Sequence, residues 1–185
     1  DALCFRKDRR RSVAVWLLLR QMLEEWGVDA DRLIASENEF GKPVFEGMTN
    51  VHFSLSHAGD RVMAAVSDRP VGCDVEQVVP VDDAVCRRAL SAVELSYLMS
   101  LPSVAERDLE FCRLWTRKEG YLKALGRGFS SDPKTVVVLD GRLSSGWELH
   151  DFDFGDGYFG LSFRLDIGCT TCDFRFGQCL SIHLA

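Results

Sequence analysis

The chain has no long apolar run. Its longest, Val13–Leu19, is seven residues, well below the roughly 18 that a membrane span requires, so no membrane partner is expected. It has no surplus of positive charge either: 22 Lys and Arg stand against 28 Asp and Glu, a net charge of −6. A general nucleic-acid binder shows a basic domain instead, although an acidic protein still binds an anion where its few cations converge. No Walker A or GxGxxG motif is present, and Gly126-Arg127-Gly128 is too short to cradle a phosphate by itself. Cys169-Thr-Thr-Cys172 has no second CxxC or HxxxH to complete a zinc site. It also lies in β-like sequence rather than at a helix start, so a structural role is expected for it. At 185 residues the chain is too short for a TIM barrel, which takes about 250. No signal peptide is visible. The first residue is Asp1 rather than Met, so part of the natural N-terminus is expected to be missing.

What is present reads as a folded globular protein, with 46% hydrophobic and 27% charged residues. The seven cysteines are odd in number and irregular in spacing, which points to free thiols and a reducing, cytoplasmic setting. Apolar residues recur at helical spacing from Ser12 to Trp26, with Ser12 as the expected N-cap and Gly27 as the stop. The basic run Arg9-Arg10-Arg11 precedes that helix and reads as a solvated flank. Val51, Phe53 and Leu55 alternate with His52, Ser54 and Ser56, the pattern of a half-buried strand. Turns at Ala58-Gly-Asp60 and Asp68-Arg-Pro70 lead into strands at 61–67 and 71–75, which together predict a three-stranded antiparallel meander. Residues 82–100 read as helix, split in two by a Ser91/Glu94 capping box. A strongly patterned helix covers 106–125 and stops at Gly126. Beyond it, Val136–Leu139 reads as a strand meeting an Asp140-Gly141 hairpin turn. Strict alternation at Phe159–Ile167 and Leu180–Leu184 predicts two more strands. Helix, meander, helices, meander is an α+β order, with two similar halves meeting near residue 75.

Three segments carry chemistry. In Val71-Gly-Cys-Asp-Val-Glu76, strand alternation puts Gly72, Asp74 and Glu76 on one face. The carboxylates stand ~6.6 Å apart along the strand, beside a glycine that lets a ligand approach, a set suited to a hard divalent cation. Its plainer reading is the solvent face of an edge strand. In Trp115-Thr-Arg-Lys-Glu-Gly-Tyr-Leu-Lys123, Lys118 falls in the middle of the apolar stripe Phe111, Leu114, Trp115, Leu122 and Leu125. A lysine there must snorkel, pair or bind an anion. Glu119 and Lys123 are spaced as an ordinary surface pair, but a carboxylate flanked by two lysines fits a metal–phosphate site better. In Ser54-Leu-Ser-His57-Ala-Gly-Asp60, His57 is placed to donate to a phosphate. Direct Ser56–His57 activation is disfavoured, because neighbours on a strand face opposite ways.

In this order and spacing the segments resemble the 4′-phosphopantetheinyl transferase superfamily, in its larger, pseudo-dimeric, Sfp-type branch. The family hallmark, Gly-x-Asp-x-Glu followed by Trp-x-x-Lys-Glu-Ala-x-x-Lys, appears as Gly72–Glu76 and Trp115–Lys123. Its Gly-Lys-Pro and Ser-His elements appear as Gly41-Lys42-Pro43 and Ser56-His57. The likeness runs from Phe5 to Phe129.

The resemblance implies two similar α/β halves, each an antiparallel sheet packed on a long helix. They would be residues 1–74, lacking a first strand, and 75–185, with the active site at their junction. It implies Mg²⁺-dependent transfer of 4′-phosphopantetheine from coenzyme A to a serine of an acyl, peptidyl or aryl carrier protein, with release of 3′,5′-ADP, by a monomer. Asp74, Glu76 and Glu119 would be the metal ligands. Lys42, Ser56, His57, Lys118, Lys123, Arg11 and Ser12 would contact coenzyme A. Catalysis would fall to Glu119, Lys123 and Asp74, with either Glu119 or a metal-bound water as the base. Glu94 matches a glutamate near the metal. Gly120 replaces the usual Ala or Ser, at ~1 kcal/mol of helix propensity, and Cys73 replaces a branched aliphatic residue. The rival readings are an inactive coenzyme A- or carrier-binding homologue and a metal-dependent phosphohydrolase.

Overall fold

The computed structural model describes residues 2–127, 132–139, 146–165, 175–176 and 180–181. Helix α1 (Ala2–Glu25) is followed by a short 3-10 turn at Ala30–Arg32 and the small hairpin β1 (Ala35–Glu37) and β2 (Pro43–Phe45). Strands β3 (His52–Ala58), β4 (Arg61–Ser67) and β5 (Val71–Gln77) come next. Helices α2 (Asp83–Ala89), α3 (Ala92–Ser100) and α4 (Val104–Leu125) precede β6 (Trp147–Asp153), β7 (Tyr158–Leu165) and the short β8 (Arg175–Phe176) and β9 (Leu180–Ser181). The α+β class read from the sequence is the class observed. No helix among the described residues is long and apolar enough to cross a membrane.

Helix α1 lays Val15, Leu18, Leu19, Met22 and Leu23 onto Phe53, Val62, Ala64 and Val66 of β3 and β4. It starts ten residues before the expected cap, so Ser12 lies in mid-helix and caps nothing. The three arginines continue the helix because arginine is a good helix former. Gly27, at φ 77°, ends it as expected, and the Val28 amide donates to the Leu23 carbonyl. The Ser91/Glu94 capping box does split α2 from α3, and Ser103 caps α4 with Glu106 in the same way.

The predicted three-stranded meander is only half right. β3 and β4 pair antiparallel across Gly59-Asp60, but β5 pairs with β7 in a separate sheet ordered β5-β7-β6. Side chains join β5 to β3 instead: Ser54 Oγ accepts the Cys73 amide at 3.0 Å, and Ser56 Oγ accepts the Val75 amide at 3.3 Å. The hydroxyls take the place of backbone carbonyls. This is why Ser54 and Ser56 are buried rather than on the solvent face that alternation assigned to them.

Val136–Leu139 is not a strand. Its backbone polar groups are satisfied by side chains, as buried ones must be. The Val138 amide donates to Glu94 Oε1 at 2.9 Å, while the carbonyls of Val136 and Val138 accept from Lys118 and Arg117. The Asp140-Gly141 turn, Gly128, Ile167, Ile182, Leu184 and the Cys169/Cys172 pair lie outside the described residues. Cys73, Cys86 and Cys112 are free and buried.

Helix α4 packs on β5 and β7 through two glycines. A Cβ at Gly72 would stand 2.1 Å from the Gly120 carbonyl oxygen and 2.3 Å from the Ala124 nitrogen. A Cβ at Gly120 would stand 2.6 Å from Leu161 Cδ1. The helix therefore lies directly on the strands, and the glycine at 120 gives up propensity for that close approach. This contact seats the carboxylate face of β5 under the charged face of α4.

Candidate active site

Asp74, Glu76, Glu119, Lys123, Ser56, His57 and Ser12 line one cleft of about 430 Å³, walled by Val15, Trp16, Leu55 and Trp115. β5 supplies two carboxylates, α4 the third with the lysine, β3 the Ser-His pair and α1 the far wall. Gly72, Asp74 and Glu76 share the α4 side of β5, as alternation required. Asp74 is only 3% exposed, so this is not the solvent face of an edge strand.

Lys123 sits at the centre of the cluster. Its Nζ lies 2.5 Å from Asp74 Oδ1 and donates to Ser56 Oγ at 3.1 Å. Ser56 Oγ itself donates to Asp74 Oδ1 at 2.7 Å. Burial works against the Lys123 charge, but Asp74 and the other nearby anions outweigh it and raise the ammonium pKa. Burial, reinforced by the Asp74 charge, lifts Glu76 and Glu119 to about 7 each. The Trp115 side chain hydrogen-bonds Glu76 and partly offsets that rise.

Among the described residues no group of three acidic, His or Cys side chains forms a ready-made metal cage. The expected trio of Asp74, Glu76 and Glu119 shares the cleft, but Lys123 is the cation against it. The donor chemistry still suits a hard cation. Asp74 Oδ2 and Glu119 Oε1 are buried with no hydrogen-bond partner among the described residues. Such oxygens are costly to leave unpaired and are of the kind that hold Mg²⁺.

Lys42 lines an adjoining cleft of about 260 Å³ that shares Leu55 and Lys123 with the first. Its Nζ donates to the Val71 carbonyl at 2.9 Å. Burial lowers its pKa to about 8. The Arg11 guanidinium donates to the Gly59 carbonyl at 3.2 Å, at the turn that follows His57.

Two expected residues stand elsewhere. Lys118 is wholly buried about 100° round α4 from Glu119, outside the cleft, where its Nζ meets Glu94 Oε2 at 2.7 Å. The same ammonium donates to the Pro133 carbonyl at 2.9 Å and to the Val136 carbonyl. Its three donors are thus all used, which leaves none for a phosphate. Glu94 is equally buried and accepts from the Ser91 amide and hydroxyl and the Val138 amide. The anion that a stripe lysine demands is therefore internal, and neither residue lines the cleft. Trp16 was legible only as a member of an apolar stripe, and Trp115 as a stripe residue and the first residue of the hallmark, neither as a wall of the cleft.

The model of the 4′-phosphopantetheinyl transferase superfamily matches residues 70–161. The 4′-phosphopantetheinyl transferase psf-1 of Bacillus pumilus is 39% identical over 125 residues, covering 66% of this chain and 53% of that protein. Sfp of Bacillus subtilis (strain 168) is 29% identical over 143 residues, 75% of this chain and 63% of that protein. AcpT of Salmonella typhi is 34% identical over 154 residues, 78% of this chain and 73% of that protein. The chain thus spans between about half and two-thirds of the Bacillus relatives it matches.

Proposed function

Because the chain belongs to the 4′-phosphopantetheinyl transferase superfamily, we propose that it transfers 4′-phosphopantetheine from coenzyme A to a serine of an apo carrier protein, releasing 3′,5′-ADP. The observation that carries this reading is the pair of buried, unpartnered carboxylate oxygens on Asp74 and Glu119 beside the Lys123 ammonium. Three carboxylates and a lysine in one cleft suit a metal–pyrophosphate ligand, and the Ser56 hydroxyl there donates to Asp74 rather than standing free as a nucleophile. The nucleophile then comes from the carrier.

Asp74, Glu76 and Glu119 would hold Mg²⁺, whose chemistry is to neutralise charge on the pyrophosphate and its leaving oxygen. The remaining steps belong to the chain's own residues. Lys123 faces the phosphates and balances charge on the 3′,5′-ADP side of the broken bond. Lys42, in the adjoining cleft, with His57, Arg11, Ser12 and Ser56, binds the rest of the nucleotide. Glu119 accepts the carrier serine proton. The serine oxygen forms the new bond to phosphorus as the pyrophosphate P–O bond breaks.

We read residues 1–74 and 75–185 as two fused halves. Helix α1 on β3 and β4, and helix α4 on β7, support two halves, but the boundary at 74 runs through β5, which pairs along its whole length, Val71–Gln77, with β7. The protein is further read as a cytoplasmic monomer. The buried free thiols support the cytoplasmic setting.

The test is intact-mass measurement of an apo carrier protein incubated with coenzyme A, Mg²⁺ and this protein. A gain of one phosphopantetheine group is expected, and Glu119→Gln abolishes it with the fold retained. Coenzyme A binding without any mass gain marks an inactive binding homologue. Nucleotide release without a carrier marks a phosphohydrolase.

A further inference from the structure

We infer that Lys123 serves as a built-in cation that occupies the carboxylate cluster before a divalent metal arrives, and that metal binding transfers it from Asp74 to the anionic ligand. The inference rests on the reading of Asp74, Glu76 and Glu119 as metal ligands.

The geometry supports it from three sides. First, Lys123 Nζ is bound to the very carboxylate that the metal needs, 2.5 Å from Asp74 Oδ1. Ser56 Oγ closes a three-membered network with both groups. Second, only one Asp74 oxygen is used. Asp74 Oδ2 and Glu119 Oε1 are buried and unpartnered among the described residues, so the lysine offsets the charge of Asp74 without satisfying the cluster. Third, the lysine is free to leave. Its side chain is 30% exposed, whereas that of Asp74 is 4% exposed. It also lies on the boundary between the two clefts, lining both. The buried carboxylate is fixed and the lysine head is the part that swings, as a long flexible stem allows.

The contrast with Lys118 on the same helix sharpens the assignment. Lys118 is fully enclosed and donates to three acceptors, so it has nowhere to go. Lys123 holds its acceptors at an open boundary. A divalent cation that approaches Asp74 meets the ammonium as a competitor for the same charge. Once displaced, the ammonium has lost its counter-ion and faces the cleft, where a phosphate supplies one. Metal and phosphate binding are then coupled through one side chain. Such coupling is reciprocal: whatever draws Lys123 away tightens the metal, and the metal readies Lys123 for the anion.

The test measures metal binding alone, without nucleotide or carrier. Mn²⁺ is titrated into the whole chain and the free ion is followed by electron paramagnetic resonance, with Mg²⁺ as competitor. Lys123→Met removes the charge and keeps the stem, and is expected to tighten Mn²⁺ by about tenfold or more. Lys123→Arg keeps the charge and stays near the wild-type affinity. Asp74→Asn abolishes binding in every background, which fixes the ion to this site. A second readout needs no variant. In wild-type protein, reductive methylation followed by peptide mapping is expected to label Lys123 several-fold faster when Mg²⁺ is added without phosphate.

Equal Mn²⁺ affinity in wild type and Lys123→Met, or labelling indifferent to Mg²⁺, overturns the inference and leaves the metal assignment standing. Absence of Mn²⁺ binding at this site in both proteins overturns the metal assignment, and the inference with it.

Discussion

Replacing Lys118 by methionine separates a structural lysine from a phosphate-binding one. Lys118 and Glu94 are both 0% exposed and 2.7 Å apart. The substitution keeps the apolar stem and deletes the ammonium. Glu94 retains its bonds from the Ser91 amide and hydroxyl and from the Val138 amide, but it loses its counter-ion. The carbonyls of Pro133 and Val136 lose their donor. Removing one partner of a buried ion pair costs about 3–5 kcal/mol, and each orphaned carbonyl adds to the strain unless water reaches it. Against a total stability of roughly 5–15 kcal/mol this is a large fraction.

In urea, with a slope of about 2–3 kcal/mol/M, the unfolding midpoint should fall by ~1–2 M. Glu94→Gln in the Lys118→Met background removes the stranded charge, so the double variant should be more stable than Lys118→Met alone. Acid gives an independent check. Burial works against the Glu94 carboxylate, but Lys118, Val138 and Ser91 together hold its pKa below the usual value. Its contribution is therefore present above the unfolded value of about 4.3 and is lost as pH falls through the folded one. Lys118→Met should remove much of that acid sensitivity. A Lys118→Met protein as stable as wild type but devoid of transfer activity would refute the structural assignment and return the residue to the phosphates.

Three further outcomes follow from the geometry. Gly72→Ala forces a methyl against the α4 backbone, 2.1 Å from the Gly120 oxygen; it should cost about 1–3 kcal/mol or more by overpacking, read by thermal melting, and weaken Mn²⁺ binding as α4 is pushed off β5. Ser54→Ala removes the acceptor of the buried Cys73 amide and should cost ~1–3 kcal/mol, with hydrogen exchange at Cys73 accelerated. Glu76 and Glu119 have folded pKa values of about 7 against a usual 4.5, so the folded state binds more protons than the unfolded one between those limits. Metal-free stability should therefore drop as pH rises from about 5 to 8, Mg²⁺ should restore it at pH 8, and metal affinity should climb through pH 7; a flat profile counts against the shared charge of the cluster.

Much of the site was legible in the chain because strand and helix periods are local rules. Alternation alone put Gly72, Asp74 and Glu76 on one face, but the space beside the glycine, read as room for a ligand, is filled by the backbone of α4. The capping box at Ser91 fixed where α3 begins, since a side chain and an amide three residues apart settle that between themselves. The lysine embedded in the α4 stripe had to snorkel, pair or bind an anion, and of these it pairs, with Glu94.

Sequence could not say which partner. Lys118 and Lys123 are both cations on the helix that carries Glu119, and only the packing of α3 and of residues 133–138 against one side of α4 decided that Lys118 meets Glu94. Likewise, β5 left the expected meander because its ladder is completed by β7, some ninety residues away, and by two serine hydroxyls that no backbone pattern reveals. Periodicity determines which face a side chain is on, because it depends on a residue's own neighbours along the chain. Tertiary structure alone decides what that face meets, because burial, counter-ions and shared acceptors come from elements far away in sequence.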